Sequence, residues 1–481
     1  MIARLGERPR IALAGVFICD RDEPLLAGQN LAALERALHS TPRIYFRTLP
    51  KRILMRSQNK PTTKFRLETL EGRDCPAVQV FNTAGLLSIV GDQFDNDIEI
   101  VDNGTDLSVL VDGVAVTNSP FSGVTRVVAR GAAGDDAITF TASGSSVITA
   151  VKLQGGSGND TLTLDAATLD RVSGNASTKL TVIGGQGADT IDTSIGDISA
   201  GDTIILTVTG AAGADNLNLG VSGRVDGTLT VNANSDQGND SISASLILAP
   251  GSAGVTTFFA RGGQGDDNLT LAVLGGVNGS LTFQGSGSQG NDTVSVSGTV
   301  QTDSAGTASI IAIGGQGADN VTLSMAATVV GTMNAQALGG QGHDTIDVAI
   351  SVSPNSTGIL SIGTSGGSGI DTIDVDVNAE IDGLLKILAT GDIGLDTITS
   401  TLNLLSGSTG RVESRVDGGL RKDTLTSLVS IDGAAATSTT LDALLGVGDW
   451  SFTLDGNLGF DTGNFTSGVV STINLETENP A

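Results

Sequence analysis

The stretch Gly339-Gly340-Gln341-Gly342-His343-Asp344-Thr345-Ile346-Asp347 decides how this chain is read. A glycine-rich bend ends in an aspartate and runs straight into alternation of polar and apolar residues, which is the pattern of a strand with one face buried. The same text recurs with its Asp at positions 136, 160, 189, 215, 240, 267, 292, 319, 344, 371, 396 and 423. Successive spacings are 24, 29, 26, 25, 27, 25, 27, 25, 27, 25 and 27, so from Asp215 onward the true unit is 52 residues made of two unequal halves. Self-similarity at such a period identifies a repeat architecture before any individual element is assigned.

Two columns of apolar residues flank each aspartate. Two residues after it stand Ile138, Leu162, Ile191, Leu217, Ile242, Leu269, Val294, Val321, Ile346, Ile373, Ile398 and Leu425. Nine residues before it stand Val127, Val151, Leu180, Leu206, Val231, Phe258, Phe283, Ile310, Ala335, Ile362 and Ile387, with Ser414 as the one polar member. Each rung thus reads as two strands, two turns and a third short strand. Stacking at ~4.8 Å lines up the apolar columns and brings all Gly-Asp turns to one edge. The expected fold is all-β: an elongated β-solenoid, a parallel β-helix of about twelve rungs, with an antiparallel hairpin meander as the competing layout.

Composition agrees with that and excludes much else. The 481 residues include 66 Gly, one Trp and one Tyr, and 39% are hydrophobic. A mean hydropathy of +0.16 argues against disorder. With 26 basic and 52 acidic residues the net charge is −26, so nucleic acid is not an expected partner and cations are. Cys19 and Cys75 support neither a disulfide framework nor a thiolate metal site, and no apolar run is long enough for a transmembrane helix.

The first 77 residues are a different text, carrying 14 of the 26 basic residues and six of the ten prolines. They are expected to be an N-terminal export or leader segment. Ile11 to Cys19 has the length and charge flank of a signal peptide's apolar region but lacks a small-residue cleavage site. A second start at Met55 leads into Leu67-Glu68-Thr69-Leu70-Glu71-Gly72-Arg73 and Pro76, which resembles the LExLExR...P motif of many secreted and surface proteins of planctomycete bacteria. That resemblance implies export to the cell surface or exterior, and makes residues 1–54 an over-extended start; an ordinary helix over Gln29 to His39 is the competing reading. The remaining divisions are an N-terminal cap at 78–125, the Gly-Asp repeats at 126–429 and a C-terminal cap at 430–481.

GGxGxD followed by x-aliphatic-x resembles the nonapeptide of the RTX, or haemolysin-type, calcium-binding repeats, most closely at Gly155 to Leu162, Gly262 to Leu269 and Gly339 to Ile346. The resemblance implies several calcium ions held by the carboxylates of Asp136, Asp160, Asp189, Asp215, Asp240, Asp267, Asp292, Asp319, Asp344 and Asp371. The departure is that one copy occurs per rung, where the family runs the nonapeptide in tandem. Asp or Asn just before the key Asp, as at Asp135, Asn159, Asn239, Asp266 and Asn291, adds candidate oxygen ligands. The turn Gly418 to Asp423 has Arg421 and Lys422 instead and is expected to hold no metal. Physically, aspartates stacked ~4.8 Å apart repel by about 0.9 kcal/mol per pair in water and about 3.5 kcal/mol at an effective dielectric of 20, so the column needs compensation. Calcium supplies it; so do hydrogen bonds from the turn's own N–H groups to the Asp side chains, as in Asx-turns.

Other chemistry is weakly represented. His343 has no imidazole partner beyond the remote His39 and reads as an exposed turn residue. Asp192, Asp347 and Asp374 face outward and are similar to the paired carboxylates of β-helix polysaccharide hydrolases and lyases, but basic residues and aromatic sugar platforms are lacking, so no enzyme is expected. Outward threonines such as Thr161, Thr190, Thr293 and Thr345 fit an exposed strand face. The expected function is an exported, calcium-binding structural, adhesive or matrix protein that meets extracellular matrix, polysaccharide or other surface proteins. The alternative is a metal-independent β-helix with a carbohydrate-binding face or polysaccharide-acting activity.

Overall fold

A computed structural model describes residues 2–3, 11–12, 78–170, 176–459, 461–473, 475 and 477–480. The chain divides into two compact units at Ala77/Val78, and in the first the described residues form only the antiparallel pair Ile2–Ala3 and Ile11–Ala12. The leader, the signal-like Ile11 to Cys19, the segment around Leu67 to Arg73 and the helix at Gln29 to His39 otherwise lie outside the described residues.

The second unit is a parallel β-solenoid built from two facing sheets. One sheet collects the strand before each Gly-Asp turn, the other the strand after it. Val127, Val151 and Leu180 are register partners in the first; Ile138, Leu162 and Ile191 are partners in the second. All of these side chains are buried between the sheets, as is the Phe258–Phe283 pair from neighbouring coils, whose ring centroids lie 5.1 Å apart. Among the described residues the repeat strands pair with one another in parallel, so the antiparallel meander is set aside: the outward polar columns and inward aliphatic columns both close when successive coils climb in one direction.

Each repeat coil has two strands, and the expected third strand is replaced by the bend that returns the chain to the first sheet. The alternating 25 and 27 spacing arises there. Short coils return through two-residue links such as Asn278-Gly279 and Asp382-Gly383, between Val277 and Ser280 and between Ile381 and Leu384. Every second coil carries a wider bend with a buried hydroxyl. Ser252, Thr302, Ser356 and Ser408 accept the N–H groups of Val225, Val330, Val329 and Ile381 at 3.1–3.2 Å. The 52-residue unit is therefore one capped bend plus one tight bend.

At the N-terminal end the strands Gln79–Thr83 and Asp106–Val111 run antiparallel to their neighbours Leu86–Val90 and Asp97–Asp102, where the parallel propagation ends. Residues 430–481, read from the sequence as a cap, continue the stack after a helical insertion, Ser438–Leu444, closed by a Thr437/Thr440 capping box. The strands Trp450–Asp455 and Thr462–Phe465 lie parallel on the preceding coil.

The buried aspartate corner, a candidate cation site

Every key aspartate sits in the corner where the chain passes from one sheet to the other, and the conformation there follows from glycine. Gly342, two residues before Asp344, has φ +139°, and a Cβ on it would stand 1.6 Å from the carbonyl oxygen of Gly317 on the coil below. Only glycine permits that approach. The corner is so tight that the aspartate side chain turns inward: Asp136 through Asp423 are each no more than 3% exposed.

Inside, the carboxylates form a ladder. The backbone N–H of Asp136 donates to Oδ1 of Asp160, that of Asp160 to Asp189, and so on through Asp396 to Asp423, all at 2.7–2.9 Å. The ladder extends past the repeats at both ends. Asn96 donates to Asp136 Oδ1 at 2.8 Å, and Asp423 donates to Asp461 Oδ1 at 2.7 Å. Both ends were masked in the spacing, which is 40 residues before Asp136 because of the N-terminal hairpins and 38 after Asp423 because of the helix. The signal was nonetheless present in Gly91-Asp92-Gln93-Phe94-Asp95-Asn96, followed two residues on by Ile98, and in Gly459 to Asp461.

The second carboxylate oxygens are different. Oδ2 of each aspartate from Asp136 to Asp423 is buried and accepts no hydrogen bond from the described protein. Its surroundings are acceptors. A Cβ placed on Gly339 would lie 2.5 Å from Asp344 Oδ2 and 2.7 Å from the carbonyl oxygen of Gly366; at Gly391 the corresponding distances to Asp396 Oδ2 and the Gly418 carbonyl are both 2.6 Å. Ser235, which replaces the corner glycine in one coil, reports the same carbonyl column: its hydroxyl donates to the Gly262 carbonyl at 2.5 Å. Carboxylate and carbonyl oxygens thus line the interior of the corner, where a bare negative charge is costly.

Burial accordingly holds these carboxyls above their usual range, working against the lowering effect of the ladder N–H; neighbouring aspartates add to the rise at several. Asp344 is pushed up to about 6, and Asp189, Asp267 and Asp423 to about 7. Arg421 and Lys422 are both exposed, while Asp423 occupies the ladder like its neighbours.

The residues just before the key aspartates form a second, outer ladder of opposite direction. Asp135 Oδ1 accepts from Asn159 N, Asn159 from Ala188 N, Asn239 from Asp266 N, Asp266 from Asn291 N and Asn291 from Ala318 N, at 2.7–3.0 Å. His343 Nδ1 accepts from Ile370 N at 2.8 Å in the same way. These side chains lie on the solvent side of the turn and are not brought to the Oδ2 column. Among the described residues no three His, Cys, Asp or Glu side chains converge on one point. An ion in the corner would therefore draw on aspartates of successive coils together with glycine carbonyls, an all-oxygen set suited to a hard cation.

The outward carboxylates fall into two groups. Asp192 Oδ1 accepts from Asn218 Nδ2 and Asp165 Oδ1 from Ser194 Oγ, in a shallow polar trough on the second sheet lined also by Thr163 and Ser243. Asp347 and Asp374 are register partners, and burial together with Asp376 and Asp347 raises Asp374. Thr293 and Thr345 stand in a column interrupted by Asn320. Among the described residues no helix is long and apolar enough to cross a membrane. No family model, curated protein or solved structure matches the chain.

Proposed function

We propose that the protein is an exported structural or adhesive β-solenoid that takes up calcium along its aspartate corner. The observation that carries this reading is the row of buried Oδ2 atoms that accept no hydrogen bond and share their corners with carbonyl oxygens, the Ser235 hydroxyl standing in the column in one coil. A divalent cation is attracted to such a column, and two carboxylates from successive coils plus carbonyls meet its demand for oxygen ligands. Coordination by successive coils makes ion binding add to coil stacking, so calcium outside the cell would rigidify the stack where it is displayed. The resemblance to RTX repeats and the export-like segment at Leu67 to Arg73 support the same reading.

A second reading is favoured by the raised carboxyls: the corner is metal-independent and carries protons on Oδ2, each able to donate toward a glycine carbonyl. Stripping the full chain with chelator at pH 8 and returning calcium or magnesium separates the two. Calcium uptake read by calorimetry, with a rise in thermal stability that magnesium does not reproduce, supports the calcium reading. A chelated protein whose stability ignores calcium at pH 8 but rises on acidification assigns the corner to protons and removes calcium from the account.

A further inference from the structure

The outside of the Gly-Asp edge changes character along the stack. Three residues before the key aspartate, Gln237, Gln264, Gln289, Gln316 and Gln341 occupy five successive coils, all exposed. In the last coils the same position holds Ile393, Leu420 and Leu458, which neighbour one another through parallel bridges. Ile370 and Leu395 join them from the adjacent outer column, and all five aliphatics are 43–70% exposed. The fold does not require them: glutamine serves the equivalent position in the middle of the stack without loss of register. Beside them Arg421 and Lys422 are exposed and carry no ion pair among the described residues. The result is an exposed aliphatic cluster flanked by two cations on a chain of net charge −26, which sets it apart from the glutamine-bearing edge of the middle coils.

The opposite end of the same edge has the complementary composition. Asp95 and Asp135 stand in the column that Lys422 occupies, Asp92 lies beside them, and Phe94 is 45% exposed. We propose that the C-terminal part of the Gly-Asp edge docks on the N-terminal part of the same edge of a second copy, the two stacks running antiparallel. A two-fold axis then makes each contact twice, Leu420, Leu458, Arg421 and Lys422 of one copy meeting Phe94, Asp95 and Asp135 of the other. Parallel alignment sets acid on acid and cation on cation, and charge complementarity selects against it. The glutamine columns face each other between the two contacts.

Sedimentation of the full chain at tens of micromolar, in calcium and in chelator, is expected to give a dimer. Ile393→Gln with Leu420→Gln restores the residue that the middle coils already tolerate, and it should give a monomer with unchanged circular dichroism. Charge exchange tests the orientation. Arg421→Glu/Lys422→Glu and, separately, Asp95→Lys/Asp135→Lys should each be monomeric, and an equimolar mixture of the two should dimerise, because both contacts become opposite in sign only in the mixed pair. A monomeric wild-type chain under both conditions, a dimer that survives the glutamine substitutions, or a mixture that stays monomeric would overturn the proposal. So would a monomer that binds vesicles of anionic lipid through Arg421 and Lys422.

Discussion

Replacing Asp344 with asparagine separates the two jobs of a ladder aspartate. Asn keeps the Oδ1 acceptor that Asp319 N uses at 2.9 Å, and the backbone N–H at 344 still reaches Asp371 Oδ1 at 2.9 Å. What changes is Oδ2, which becomes an amide able to donate toward the Gly366 carbonyl that shares its corner. Burial pushes the Asp344 carboxyl from 3.8 up to about 6, opposed by the Asp319 N–H and reinforced by Asp319 and Asp371. At ~1.4 kcal/mol per unit this sets a ceiling of about 3 kcal/mol on the destabilisation by the ionised form, which screening reduces to roughly 1–2 kcal/mol. In chelator at pH 8, Asp344→Asn should therefore slow amide exchange across the coils around it by about 5–30-fold. Asp344→Ala should do the opposite, because a buried N–H left without its acceptor costs ~1–3 kcal/mol. At pH 5 the asparagine advantage should shrink, since the wild-type carboxyl takes up its own proton. Exchange read by mass spectrometry at matched pH suits a long repeat array, where a single unfolding free energy is not well defined. Faster exchange in Asp344→Asn than in wild type at pH 8 in chelator would refute the claim that the buried charge opposes folding.

Two further outcomes follow from the same geometry. Metal-free protein should become less stable as pH rises: folded pKa values near 6 to 7 at Asp189, Asp267, Asp344 and Asp423 lie above the unfolded 3.8, so the native state binds more protons across that window and loses that advantage as pH passes through it. Thermal melts in chelator between pH 5 and pH 8 check the sign. Gly342→Ala should cost about 3 kcal/mol or more, because its Cβ meets the Gly317 backbone at 1.6 Å and its φ of +139° is strained for any side chain; loss of soluble protein or early melting would show it, and wild-type stability would contradict it.

The repeat, the strand on each side of the turn and the inward columns were legible in the sequence because burial on one face imposes a period of two, and a period of two is visible without any partner. Ile138 through Leu425 stand where alternation placed them, in register from coil to coil. The identity of the candidate aspartates was equally legible, since a glycine-rich corner followed by alternation marks them one by one. What the sequence did not disclose was the direction in which their side chains point. Exposed turns and buried corners have the same glycine-rich composition, and only coil-to-coil contact turns Oδ1 toward the next backbone N–H and encloses Oδ2 among carbonyls. Asn96 and Asp461 carry the motif out of period, and only the folded stack shows that they extend the ladder; the role of Ser252, Thr302, Ser356 and Ser408 in the 52-residue unit likewise depends on N–H groups nearly thirty residues away. Local patterning by itself determined that this chain must stack; the tertiary structure decided that stacking buries a row of acids, because a hydrogen bond between coils exists only once the coils are built.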